Sequence, residues 1–375
     1  MKIAIMANQA DSFVKPLANG LGAMLQKLGV EYKIFYDGLF FLDHNPKPKK
    51  IRFGGIKELV MSMYQTLFPP YKKQMDQIWK ELESYDCMVV IEHMPIGYLK
   101  DKLTKIEEFR LRFPSKTVVL YDLVYLSTLG EWISFLKNGN DYHGFIQGKN
   151  HFGLERYDWY LVASASTDFP LPDGFQPVSI VGCHLDDGSL FPEQKEFRAL
   201  IDFERPNHMK ERALQILALE ETNTPYTVLH GRYPQAEIRK IYRSSSIYFL
   251  AHLEAFGLPI CEIEACGGMV FTPYQKWAWA HYRKDDLRQK GEAPLASNFK
   301  VYNNDLQMLK EQILEEKQKF NAKKNLESFQ NEDLRFFHGD LKRLKEFIDK
   351  LNSGEINSKS HLQFEKLNSL IETGL

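Results

Sequence analysis

The chain has 375 residues, enough for two domains of ordinary size, and its 44% hydrophobic and 26% charged residues exclude an intrinsically disordered protein. Because 48 Lys and Arg residues balance 49 Asp and Glu residues, the net charge of -1 gives no general attraction to nucleic acid, and no nucleic-acid partner is predicted. The four cysteines lack the spacing of a zinc site or a disulfide framework, which favours a reducing compartment.

Short apolar segments alternate with helical patterns through the first half of the chain. Leucines at helical spacing predict a helix over 13–28 that ends at Gly29. The predicted strands are rich in Val, Ile and Tyr, and they cover 2–6, 32–36, 87–93, 117–123 and 159–164. Continuous apolar strands between helices indicate a parallel sheet that is covered on both faces.

The same alternation begins again in the second half. Strands are predicted over 198–203, 226–231, 246–251 and 268–273, with helices over 208–220, 234–244 and 260–266. The predicted fold class is therefore α/β, with two Rossmann-like, doubly wound parallel-sheet domains that face a central cleft. In such sheets ligands bind beyond the carboxyl ends of the strands.

The predicted domain organisation has three parts. Residues 1–180 form the N-terminal domain and residues 181–340 form the C-terminal domain, joined by a polar, Pro- and Gly-rich linker near 178–195. Residues 341–375 are predicted to be C-terminal helices, for which packing back on the N-terminal domain is one arrangement.

The turn HLEAFGLPICE carries two glutamates, Glu254 and Glu262, around one glycine and one proline. Gly257 lets the backbone approach a ligand closely, and Pro259 suits the start of a helix. The N–H groups near Gly257 and Leu258 would then attract phosphate. Glu262 is expected in the first helical turn, where its carboxylate can accept hydrogen bonds from two vicinal hydroxyls such as those of a ribose. Glu254 is expected on the other side of the phosphates, near a sugar.

This turn resembles the signature of retaining GT-B glycosyltransferases, especially those of family 4. The positions that fit the signature are Glu254, Phe256, Gly257, Leu258, Pro259, Glu262, Ala265, Cys266 and Gly267. The resemblance implies a GT-B architecture and a hexosyltransferase-type reaction, in which a sugar leaves a nucleotide diphosphosugar with retention of its anomeric configuration. It also implies that the C-terminal domain binds the nucleotide and that the N-terminal domain binds the acceptor.

The resemblance also implies roles for the residues of the turn. Phe256, Gly257, Leu258 and Glu262 would bind the donor nucleotide, with the Glu262 carboxylate on the ribose. Glu254 would bind a hydroxyl of the donor sugar, as part of the catalytic set.

Two cations upstream fit a second feature of this family. Its members carry an Arg after the first strand of the C-terminal domain and a Lys five residues later, and both contact the donor diphosphate. Arg205 and Lys210 have this spacing, with Glu204 where the family usually has Gly. Many members also carry a His after the fourth N-terminal strand, where this chain has Tyr121 or Asp122. Asp122 either orients an acceptor hydroxyl or acts as a weak base, or it is a strand-end acid that caps the following turn.

The resemblance implies neither a cofactor nor a metal, because the nucleotide sugar is a substrate and GT-B enzymes generally need no metal. The expected partners are the nucleotide diphosphosugar donor and a glycan, lipid-linked or small-molecule acceptor, as in polysaccharide biosynthesis. Residues 47–73 form a basic amphipathic segment that either lies on an anionic membrane surface or packs on its own domain with a solvated basic rim. The expected location is the cytoplasm, with contact at the inner face of the membrane in the first case.

Two other functions fit the same fold. A GT-B sugar-nucleotide 2-epimerase would use several acids and histidines in the cleft, and such enzymes lack the FGLP-type turn. A catalytically degenerate GT-B protein would serve as a binding or scaffold module. The transferase is favoured because the chain keeps Glu254, Glu262, Arg205 and Lys210 together.

Overall fold

The structure is a computed structural model that describes residues 1–7, 14–36, 69–91, 104–124, 157–164, 178–254, 256–283 and 294–360. Two β-sheets organise these residues, one of six strands and one of five, and their strand pairs are all parallel. The predicted α/β class with two doubly wound parallel-sheet domains is confirmed. Of the basic segment 47–73, only residues 69–73 belong to the described residues.

The first sheet has the strand order β2-β1-β3-β4-β5-β6. Its strands are β1 (Lys2–Ala7), β2 (Glu31–Phe35), β3 (Cys87–Ile91), β4 (Thr117–Val124), β5 (Trp159–Ser164) and β6 (Val178–Ile180). Its helices are α1 (Val14–Lys27), α2 (Pro69–Leu82) and α3 (Thr104–Arg112). Every residue of β3 and β5 is buried, as expected for apolar strands that are covered on both faces.

The second sheet has the strand order β11-β10-β9-β7-β8. Its strands are β7 (Ala199–Ile201), β8 (Tyr226–Val228), β9 (Ile247–Phe249), β10 (Met269–Thr272) and β11 (Phe299–Val301). The helices of this half are α4 (Met209–Glu221), α5 (Gln235–Ser244), α6 (Leu258–Ala265), α7 (Leu306–Lys319), α8 (Ala322–Glu332), α9 (Leu334–Phe337) and α10 (Leu341–Ser353). Two 3₁₀ helices cover Pro206–His208 and Gln275–His281. Across the described ranges, none of the helices combines the length and apolar character needed to cross a membrane.

The segment predicted as a linker is built into the fold. Its first residues are β6, which pairs with β5, and the chain then runs alongside the segment between α9 and α10. The N–H of Cys183 donates to the Arg335 carbonyl at 2.9 Å, and the N–H of Asp340 donates to the Val181 carbonyl at 2.8 Å. α10 continues from this contact and packs on α1 and β6, so the end of the described chain lies against the first sheet.

Candidate functional site

Three side chains meet at the carboxyl edge of the second sheet. His252 and Glu254 follow β9, and Asp202 follows its neighbour β7. His252 Nδ1 lies 3.2 Å from Asp202 Oδ2, and His252 Nε2 lies 4.0 Å from Glu254 Oε2. We call these three residues the edge group. Their ligand-type atoms all lie within 4.8 Å of one another, so the edge group has the donor set of a metal site as well as that of a polar binding site.

The surroundings of Glu254 favour its protonated form. Burial raises the pKa of its carboxyl to about 8, the nearby Asp202 carboxylate adds to this shift, and the Arg205 guanidinium opposes it. Its Oε2 atom is buried and has no hydrogen-bond partner within the described part of the chain. A protonated carboxyl both donates and accepts hydrogen bonds, which suits it to a sugar hydroxyl.

Gly257 makes room for the Glu254 side chain. A Cβ atom at position 257 would lie 2.6 Å from Glu254 Cδ and 2.9 Å from Ile260 Cγ1, closer than such atoms approach in proteins. The glycine was predicted to let the backbone approach a ligand. The structure shows that the Glu254 carboxylate folds over the turn and takes the space beside the Gly257 Cα.

Glu262 is held in a buried ion pair. α6 begins at Leu258, so Glu262 lies in the second turn of this helix, and the expectation of a first-turn position is wrong. Arg239 on α5 contacts Glu262 Oε1 through Nε at 2.8 Å and through Nη2 at 2.7 Å. Glu262 is 6% exposed and Arg239 is 5% exposed. Burial raises the pKa of Glu262, and the Arg239 guanidinium opposes that shift.

Arg239, the cation of this ion pair, also contacts the segment that was predicted to be a linker. Arg239 Nη1 donates to Asp187 Oδ2 at 2.5 Å and to Ser189 Oγ at 2.5 Å. Sequence analysis did not include Arg239, Asp187 or Ser189 in the site. The two adjacent acids of HLDDGS are visible in the sequence, but only the fold shows that Asp187 contacts Arg239.

The side chains of Phe256 and Leu258 point into the protein interior. Each is 6% exposed, and the Phe256 ring stacks on His281 with 5.4 Å between centroids and 2° between planes. Both residues were predicted to bind the donor, but only their backbone groups, and not their side chains, are placed to contact a ligand. No side chain caps the first turn of α6, so its N–H groups stay available to an acceptor such as phosphate.

Arg205 and Lys210 are exposed cations close together in the chain. Arg205 precedes the 3₁₀ helix Pro206–His208, and Lys210 is the second residue of α4. Within the ranges that the structure describes, neither forms an ion pair or a side-chain hydrogen bond. Arg205 lies close enough to Glu254 to lower the pKa of that carboxyl, so it adjoins the edge group.

Asp122 lies in the first sheet, near the carboxyl end of β4. It is buried, and its Oδ1 accepts a hydrogen bond from the N–H of Leu123 at 2.6 Å, a local contact of the kind that the strand-end interpretation expects. On the adjacent strand β5, Ser164 Oγ donates to the Ala280 carbonyl at 3.4 Å. The carboxyl edge of the first sheet therefore adjoins the 3₁₀ helix Gln275–His281.

That 3₁₀ helix also touches the turn with the two glutamates. The N–H of Glu254 donates to the Trp277 carbonyl at 3.0 Å. One short helix therefore contacts the carboxyl edges of both sheets, which is the side on which ligands bind in open α/β sheets.

A scan against protein-family models and a search of curated proteins find no match to the chain. Among solved structures, the chain is similar to CalG4, the calicheamicin glycosyltransferase, with 12% identity over 93% of this chain and 97% of that chain and a TM-score of 0.43. It is also similar to HepE from Anabaena in complex with UDP-glucose, with 11% identity over 94% and 100% of the two chains and a TM-score of 0.49. For MurG from Acinetobacter baumannii the identity is 12%, the covered shares are 94% and 99%, and the TM-score is 0.39. Similarities as distant as these do not assign a function.

Proposed function

We propose that the chain is a retaining, metal-independent glycosyltransferase of the GT-B type that moves a hexosyl group from a nucleotide diphosphosugar to an acceptor hydroxyl. The observation that carries the proposal is the position of Glu254, which lies at the carboxyl edge of the second sheet beside the exposed cation Arg205. The sequence signature, the edge of the sheet and the local charge point to the same chemistry.

The donor diphosphate would bind between Arg205, Lys210 and the uncapped first turn of α6. Cations and N–H groups at this place stabilise the negative charge that develops on the leaving group when the glycosidic bond breaks. A nucleoside diphosphate is already a good leaving group, so binding and charge stabilisation supply most of what the reaction needs. No protein nucleophile is proposed.

The donor sugar would contact Glu254. Its buried Oε2 atom lacks a hydrogen-bond partner among the described residues, and a sugar hydroxyl would supply one. Gly257 is part of this contact, because it leaves the carboxyl in its folded position over the turn.

The ribose would contact Glu262 without disrupting its ion pair. Both contacts from Arg239 go to Oε1, so Oε2 is the atom proposed to accept from a ribose hydroxyl. In this proposal Arg239 orients the carboxylate.

The acceptor would enter from the first sheet, where Asp122 is proposed to orient its hydroxyl. The proposed acceptors are a glycan, a lipid-linked saccharide or a small molecule. A lipid-linked acceptor would agree with peripheral membrane contact through 47–73, in a protein of the cytoplasm.

Thermal unfolding with UDP, GDP, ADP and dTDP tests the donor site. A nucleotide at about 100 times its dissociation constant should stabilise the native state by about 2.7 kcal/mol. Arg205→Ala and Lys210→Ala should each weaken binding about tenfold or more, since a hydrogen bond to a charged group contributes about 1.5–3 kcal/mol. Lys323→Ala, which removes an exposed cation from α8, is the matched control and should bind normally.

An activity assay decides between the proposed transferase and a degenerate GT-B protein that binds without catalysis. Release of a nucleoside diphosphate from the matching nucleotide sugar, with an anomerically retained product by NMR, would support the transferase. If no nucleotide stabilises the protein, the donor site proposed here is wrong.

One observation favours a second candidate, a degenerate GT-B protein that binds without catalysis. The Glu262 carboxylate is engaged by Arg239, as in a residue kept for structure. Nucleotide binding without diphosphate release, over a panel of nucleotide sugars and acceptors, would support this candidate.

A further inference from the structure

A second cluster of ligand-type side chains lies beneath the turn with the two glutamates. It consists of Glu264 on α6, His281 at the end of the 3₁₀ helix, and Asp333 between α8 and α9. One ligand-type atom from each lies within 4.8 Å of those of the other two. Glu264 and His281 are fully buried, and Asp333 is 4% exposed. We call these three residues the buried cluster.

Polar atoms of two members of the buried cluster, Glu264 and His281, lack their ordinary partners. In the part of the chain that the structure describes, neither ring nitrogen of His281 has a hydrogen-bond partner, and the Glu264 carboxylate has the Asn298 side chain nearby but no hydrogen bond of normal geometry. Burying such atoms unpaired is costly, and buried polar groups in proteins almost always have a partner. The unpaired ring nitrogens of His281, beside two buried carboxyl groups, therefore indicate a ligand that supplies the contacts.

The surroundings fix the His281 ring in place. It stacks on Phe256, and its centroid lies 5.3 Å from that of Phe299 and 5.4 Å from that of Phe336. Burial lowers the pKa of His281 to about 3, with a further lowering by the Arg335 guanidinium.

We propose that Glu264, His281 and Asp333 form a structural zinc site. One imidazole and two carboxylates are a donor set that zinc accepts, and the imidazole disfavours magnesium and calcium. The two negative charges would balance the +2 charge of the ion. Ligand atoms that are each about 2.1 Å from a tetrahedral zinc ion lie about 3.4 Å apart, so atoms that are now within 4.8 Å of one another would need to approach by up to about 1.4 Å.

The site would tie together three elements that are far apart in the chain. His281 ends the 3₁₀ helix whose Trp277 carbonyl accepts from the N–H of Glu254, and Glu264 follows Glu262 on α6. A zinc ion here would fix the position of the glutamate-bearing turn relative to α8 and α9. Because its ligands are buried, the ion would not meet a substrate, and the inference does not depend on the proposed transferase activity.

Elemental analysis of the purified full-length chain, expressed with zinc in the medium, tests the proposal directly. We expect about one zinc per chain. Glu264→Gln and Asp333→Asn keep side-chain volume and should lower zinc content at least tenfold. Glu316→Gln is the matched control: Glu316 is a buried acid on α7 that pairs with Lys300 at 3.4 Å, and its variant should retain zinc.

A titration supplies a second measurement that needs no variant. After treatment with a chelator, zinc chloride should raise the melting temperature of the wild type, and magnesium chloride should not. Glu264→Gln and His281→Phe should show no zinc-dependent rise.

The opposite pattern would overturn the proposal. In that pattern the wild type carries no stoichiometric metal, zinc leaves its melting temperature unchanged, and His281→Phe is as stable as the wild type because it only extends the aromatic packing. The carboxyls would then share a proton in place of an ion.

Discussion

The ion pair between Arg239 and Glu262 predicts that Glu262→Gln destabilises the protein in the absence of any nucleotide. The substitution keeps the side-chain volume and removes the negative charge that faces a guanidinium which is 5% exposed. Loss of one partner from a buried pair typically costs about 3–5 kcal/mol. We expect about 3 kcal/mol, the lower end, because Asp187 still neutralises part of the Arg239 charge.

Urea unfolding followed by tryptophan fluorescence measures this loss. Glu193→Gln is the control, because Glu193 also pairs with an arginine at 3.0 Å but is 47% exposed. Exposed pairs contribute about 0–1 kcal/mol, so this variant should stay near the wild type. Arg239→Met should cost as much as Glu262→Gln. The double variant Arg239→Met/Glu262→Gln should lose less than the sum of the two single losses, with a coupling of about 1–3 kcal/mol.

A different result would refute this reasoning. If Glu262→Gln unfolds like the Glu193→Gln control and loses only nucleotide binding, then the carboxylate is not paired in the ligand-free protein. Glu262 would then act through the ligand alone.

Three further predictions concern glycines and Glu254. Gly182→Ala should cost several kcal/mol, because Gly182 has φ of +68° and an added Cβ would lie 2.0 Å from the Arg335 carbonyl oxygen. Gly29→Ala should cost only about 1–2 kcal/mol, because Gly29 has φ of +69° but an added Cβ would meet open space. Urea unfolding of the two variants measures the difference. Glu254→Gln should gain stability over the wild type progressively between pH about 4.5 and 8, and level off above that range, in unfolding experiments at several pH values. The sign follows because a carboxyl whose folded pKa is raised to about 8 keeps a proton that the unfolded chain releases as the pH rises. Gly257→Ala should cost about 1–3 kcal/mol, because the added Cβ would lie 2.9 Å from Cγ1 of the buried Ile260 even when the flexible Glu254 carboxyl moves aside. It should also weaken binding of the nucleotide sugar while leaving the affinity for the nucleotide alone unchanged, by calorimetry.

Much of the secondary structure could be predicted because buried parallel strands are continuous apolar runs. The strand predicted over 159–164 is β5, residue for residue, and the helix predicted over 208–220 differs from α4 by one residue at each end. β11 was missed because it is a three-residue strand at the edge of the second sheet, FKV, with a lysine in its middle. An edge strand of this kind carries no apolar run.

The position of the glutamate-bearing turn could also be predicted, because the apolar strand before it and the proline after it mark a strand-to-helix junction. The partners of its glutamates could not. Asp202 reaches His252 because β7 and β9 are neighbours in the sheet, and Arg239 reaches Glu262 because α5 packs on α6. The spacing of residues in the sequence does not show which strands and helices are neighbours in the fold.

The two glutamates of the turn have different charged neighbours. Glu262 is buried beside a cation that partners its charge, whereas Glu254 is half-buried, and desolvation together with the nearby Asp202 carboxylate raises its pKa to about 8. In the proposed function a neutral Glu254 would favour the diphosphate, because a second carboxylate beside Asp202 would repel the phosphates that Arg205 is proposed to attract. The same carboxyl, once neutral, can donate to a sugar hydroxyl as well as accept from one. In the proposed function, the raised pKa of Glu254 would therefore favour binding of an anionic, hydroxyl-rich ligand, whereas it lowers stability above pH about 4.5.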